Sequence, residues 1–87
     1  MKTKSGFLLR KLAGQWVVVP IGQNVANFAN ILMLSDSGAL LWEKISEGAD
    51  EEELVKALLD TYDVDEETAR NDVREFIDKV EQQGLLE

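Results

Sequence analysis

The hydrophobic period of this chain changes once, at the step from Leu34 to Ser35, and that change limits the folds open to it. Before the step, apolar residues come in short β-branched and aromatic runs, the pattern of strands. Phe7 to Leu12 is apolar with Arg10 and Lys11 inserted, and Ala13-Gly14 follows as a turn. Trp16-Val17-Val18-Val19 is an unbroken run closed by Pro20 and Gly22, which reads as a strand covered on both faces. Gln23 to Asn30 is an Asn- and Gln-bearing loop that Phe28 is expected to pin, and Ile31-Leu32-Met33-Leu34 is a third short run. The first part therefore predicts a hairpin plus a third antiparallel strand, the strands lying within about residues 6–34.

After the step the period is helical, and three helices are expected within about residues 36–84. Ser35 or Asp36 caps the first, whose apolar positions include Leu41, Trp42 and Ile45, and Gly48 ends it. Trp42 is expected in the core, whereas Trp16, second in its strand, is left open between a core position and a half-exposed one. Asp50 and Glu53 have capping-box spacing ahead of a Leu54, Val55, Leu58, Leu59, Tyr62 stripe. Asp65 opens the third helix, with Glu66 and Glu67 against the helix dipole and Ala69, Val73, Phe76, Ile77 and Val80 as its apolar stripe. Gly84 fits the left-handed position after that helix, with Leu85 folding back on Val80. Strands followed by helices make an α+β domain with the helices on one face of a small sheet. At 87 residues, neither part is large enough to bury a core alone, so one domain spanning residues 1–87 is expected.

Charge divides at the same place. Residues 1–34 carry four bases and no acid, while residues 35–87 carry all 17 acids and five bases, leaving the chain at −8. With no Cys and no His, thiolate nucleophiles, imidazole bases, disulfides and Cys/His metal sites are excluded. The acid runs Asp50–Glu53 and Asp63–Glu67 are explained by capping, and neither has EF-hand spacing. No Gly-rich phosphate loop or nucleophile elbow is present. The expectation is a protein that is not an enzyme and uses no metal or other cofactor. Met1 to Arg10 has no signal-peptide core, and no apolar stretch is long enough to span a membrane, so a cytoplasmic protein without a membrane partner is expected.

The segment Leu34-Ser35-Asp36-Ser37-Gly38-Ala39-Leu40-Leu41-Trp42-Glu43-Lys44-Ile45 resembles the strand-to-helix signature of the PqqD family. That signature runs Leu, a cap residue, an acid, Ser or Thr, Gly-Ala, two apolar residues, then Trp-Glu. Phe7–Arg10 with Trp16–Pro20 resembles the family's opening hairpin, and Glu53–Leu86 its last two helices. The resemblance implies a winged helix-turn-helix-like domain that recognises peptides. Its members bind the leader of a ribosomally made precursor peptide, the PQQ precursor in PQQ biosynthesis, and present it to a modifying enzyme, often a radical-SAM maturase. It also implies that the leader adds as a strand beside the third strand, in the cleft against the third helix.

Carried to these residues, the resemblance makes Ile31, Leu32, Met33 and Leu34 the edge that pairs with the peptide. Val73 and Ile77 become its opposite wall, and Arg70 and Arg74 reach acidic leader groups. Each assignment has a plainer counterpart. Ile31 to Leu34 also suits an ordinary core strand, and Arg70 and Arg74, at i, i+4, also suit an ion-pair ladder with Glu66, Glu67 and Asp78. Two other functions share the architecture. A DNA-binding winged helix is disfavoured because helices so rich in acid repel phosphates, so no nucleic-acid partner is expected. A dimerisation module pairing through its apolar edge, giving a weak homodimer, is the other.

Overall fold

The computed structural model describes residues 1–22 and 32–87; Phe28 and Ile31 lie outside the described residues. Strand β1 (Phe7–Leu12) and strand β2 (Gln15–Pro20) form an antiparallel hairpin in register Leu12↔Gln15. Ala13 and Gly14 make its two-residue turn, both with positive φ (51° and 80°), the backbone hand that matches strand twist. Strand β3 (Leu32–Leu34) pairs antiparallel with β2, giving the sheet order β1-β2-β3.

Ser35 then caps helix α1 (Asp36–Ser46), its side chain accepting from the Gly38 N–H at 3.1 Å. Helix α2 (Glu51–Thr61) starts with the full capping box, Asp50 accepting from the Glu53 N–H at 2.8 Å and Glu53 accepting from the Asp50 N–H at 3.2 Å. Asp65 caps helix α3 (Glu66–Gln82) by accepting from the Thr68 N–H at 2.7 Å. Helix α3 ends in a Schellman turn. The Leu85 N–H bonds the Val80 carbonyl at 3.0 Å, the Gly84 N–H bonds that of Glu81 at 2.9 Å, and Gly84 takes φ 73°.

The core lies between the sheet and the three helices. Val18 and Leu34 bring the sheet to it, Leu41, Trp42 and Ile45 bring α1, Leu54, Val55 and Leu58 bring α2, and Ala69, Val73, Phe76 and Val80 bring α3. Trp42 is buried, as its position predicts, and Trp16 is half-buried. Gly38 lets α1 approach the end of β3 closely: a Cβ there would stand 3.3 Å from Leu34 Cβ.

Two parts of the sequence reading change. The α2 stripe stops at Leu58, leaving Leu59 and Tyr62 exposed. Leu59 is turned about 100° from Leu58, and Tyr62 already has extended backbone (φ −122°, ψ 152°) and has left the helical period. The chain ends also join, which no motif announced. Thr3 and Leu86 form an antiparallel bridge, flanked by Lys4 N–H to Leu85 O at 2.8 Å and Glu87 N–H to Lys2 O at 2.9 Å.

Candidate functional site at the open sheet edge

Because β2 is central, β3 has one paired side, and among the described residues no strand lies on its other side. Alternation divides its side chains. Leu34 is buried and Leu32 packs partly against the core, while Met33 points to the opposite face and is 54% exposed. Of the run Ile31–Leu34, then, Met33 is the exposed member among the described residues.

The stretch of α3 facing this edge is not the one expected. Lys79 Nζ donates to the Met33 carbonyl at 3.3 Å. Asp72, Glu75, Phe76 and Lys79 share a shallow groove with Ser35 and Ser37 at the start of α1. Val73 has 0% exposure and lies beneath this wall, so the reading of Val73 as a peptide-contacting surface is corrected: its methyls are already spent on the core. Ile77 is half-buried against that core.

Arg70 and Arg74 are also placed elsewhere. On a helix, Arg70 and Arg74 each lie about 200° around the axis from Asp72, on the flank that meets the start of α2. Arg70 grips Glu52 with two bonds (Nη1–Oε1 2.7 Å, Nη2–Oε2 3.2 Å), reaches Glu66 at 3.4 Å and stands 3.6 Å from Glu51. Arg74 Nε donates to Glu51 Oε1 at 3.1 Å. The expected ladder within one helix survives only as Arg70–Glu66, the other described pairs being between helices. Bonding to Arg70 holds the Glu52 carboxyl below the usual glutamate range, and Arg70 itself is held charged more firmly than a free guanidinium.

The site is completed by the entry to α1. Trp16 Nε1 donates to Asp36 Oδ1 at 2.9 Å, tying β2 to the first residue of that helix. Shallow depressions meet over Ser35 and Asp36, one running along Met33, Leu34 and Trp16, another toward Leu58, Tyr62 and Val64. Asp72, Glu75 and Lys79 were missed as wall residues. Their i, i+3, i+7 spacing put them on one side of α3 from the outset, but periodicity does not say which flank of a helix meets a sheet. No group of acids among the described residues is arranged to hold a metal ion, and no described helix is long and apolar enough to cross a membrane.

Fold and edge together define the class: an α+β domain of three antiparallel strands followed by three helices, its short third strand open beside the last helix among the described residues. The model of the family Coenzyme PQQ synthesis protein D (PqqD) matches residues 15–86, and the chain belongs to that family. No curated protein sequence matches it. Among solved structures it is similar to one described as TbiB1 in complex with the TbiA(beta) leader peptide, at TM-score 0.78 and 26% identity, covering 100% of this chain and 95% of that one. A lasso peptide synthetase B1 complexed with the leader peptide shares the fold at TM-score 0.75 and 15% identity, over 97% of this chain and 93% of the other.

Proposed function

We propose that this chain, taken as one domain, is a non-catalytic adaptor that binds the leader of a ribosomally made precursor peptide and presents it to a modifying enzyme. A radical-SAM maturase is one class of such enzyme, and the encounter takes place in the cytoplasm. The leader adds as a strand along Ile31–Leu34, its main chain pairing with the outer side of β3 and displacing or sharing the Lys79 bond at the Met33 carbonyl. Its side chains rest on Met33 and on the α3 wall of Asp72, Phe76 and Lys79. Arg70 and Arg74 enter as the clamp that fixes α3 against α2, and Val73 and Ile77 as the packing beneath the wall.

The observation that carries this reading is the outer side of β3, on which no strand lies among the described residues, beside α3, in a chain 26% identical to a protein whose structure is described in complex with a leader peptide. Micromolar binding needs about 8 kcal/mol net. Several main-chain bonds plus two or three side chains buried in shallow grooves are of that order after ordering costs. The lack of Cys and His and the net charge of −8 favour binding over catalysis, and peptide over nucleic acid.

Titration of isotopically labelled protein with a candidate leader peptide tests the proposal. Amides of residues 32–34 and 72–79 should shift together. Shifts confined to residues 2–11, or none at large peptide excess, would overturn it.

A further inference from the structure

Beyond the end of β3, one pocket is unused by strand pairing. It has a volume of about 360 Å³ and is lined by the apolar Leu58, Tyr62 and Val64 together with Ser35, Ser37, Asp36 and Asp72. Tyr62 and Val64 are each 36% exposed, so a ring and a branched side chain face solvent here without covering the core. No Lys or Arg lines it, and among the described residues neither Asp36 nor Asp72 has an ion-pair partner. Asp36 is held in place by the Trp16 indole at one oxygen, which leaves its other oxygen available.

We propose that this pocket is the subsite for one basic side chain, lysine or arginine, of the peptide bound along β3. The proposal rests on the strand reading above and adds to it the chemical class of one peptide residue. Purely apolar side chains would strip water from Asp36 and Asp72 and return no hydrogen bond, and acidic ones would be repelled. A lysine or arginine satisfies both parts: its methylene stem lies along Leu58, Tyr62 and Val64 while its head meets the carboxylates. Tyr62 offers a ring face to the same cation. The position is within reach, since Ser35 and Asp36 follow Leu34 directly and a strand advances about 3.3 Å per residue. The basic residue therefore sits one or two positions beyond the one paired with Leu34. The net charge of −8 draws a cationic peptide toward the protein at longer range.

The test is selection of a phage-displayed library of random linear peptides on the immobilised protein. Each enriched peptide is synthesised, mapped by amide shifts, and remeasured with its basic residue changed to glutamine. The expected result is that peptides shifting residues 32–34 share a lysine or arginine, and that its replacement weakens binding at least about threefold. That loss should vanish on Asp72→Asn or on Asp36→Asn, the latter keeping an oxygen for the Trp16 indole. Peptides that shift residues 32–34 but are indifferent to the replacement, or lose equally on wild type and both variants, overturn the basic subsite and leave strand pairing standing. If no enriched peptide shifts residues 32–34, the strand reading fails and the subsite with it.

Discussion

Lys79 on α3 donates to the main-chain carbonyl of Met33 in the middle of β3, at 3.3 Å. A cation anchored on the open edge makes that edge a poor template for a second copy, because a chain pairing there must first displace or share the bond. Lys79→Met is expected to free the Met33 carbonyl and increase self-association. Sedimentation at matched concentrations should give the variant the higher average mass, and equal masses would remove the protective role.

Ala13 sits at φ 51° in the hairpin turn, in the region where a Cβ crowds the following carbonyl. Asparagine tolerates this conformation through local hydrogen bonding, and Asn-Gly is the favoured pair for a turn with two positive φ values. Ala13→Asn is therefore expected to stabilise the protein by about 1 kcal/mol. In a domain of this size that corresponds to roughly 4–8 °C in melting temperature, readable by thermal circular dichroism.

Glu52 and Asp65 both have carboxyl pKa values below their ordinary range, Glu52 chiefly through the hydrogen bond from Arg70 and Asp65 through the Thr68 N–H. A folded-state pKa depressed in this way gives stabilisation that is fully present above the unfolded value and lost as pH falls through the folded one. Urea midpoints of wild type and Arg70→Met should therefore differ most near neutrality. They should converge on the acid side of about pH 4, and high salt should also narrow the gap. A gap unchanged from neutral to acid pH would show that Arg70 acts through its stem packing and not through Glu52.

How much of this was legible in the sequence follows from what each signal encodes. Ser35, Asp50 and Asp65 marked helix starts because capping is local, the acceptor and the N–H it satisfies being three residues apart, and Gly84 marked a helix end because its Schellman bonds close within five residues. The Leu34–Ile45 segment carried the family and with it the fold. The wall opposite β3 was not legible. Ala69, Val73, Phe76 and Val80 fix which face of α3 is buried, but the two flanks of that face are equivalent until tertiary packing sends Arg70 to Glu52 and Lys79 to Met33. The pairing of Thr3 with Leu86 joins the two ends of the chain, and segments this short carry no hydrophobic period to signal it.

Val73 separates the two descriptions of α3 most sharply. If its side chain lined the peptide cleft, truncation would cost binding and little stability, because an exposed methyl contributes almost nothing to folding. With 0% exposure it is instead enclosed by the core it shares with Leu54, Phe76 and Val80. Val73→Ala removes the equivalent of two buried methylenes and leaves a cavity, a loss of about 2 kcal/mol. The expected fall in melting temperature is roughly 8–16 °C. Met33→Gln, at a position 54% exposed, serves as the control and should melt close to wild type. Thermal melts of the two variants side by side check the assignment: a Val73→Ala protein as stable as wild type would return Val73 to the surface, and with it the wall of Val73 and Ile77 that the sequence had suggested.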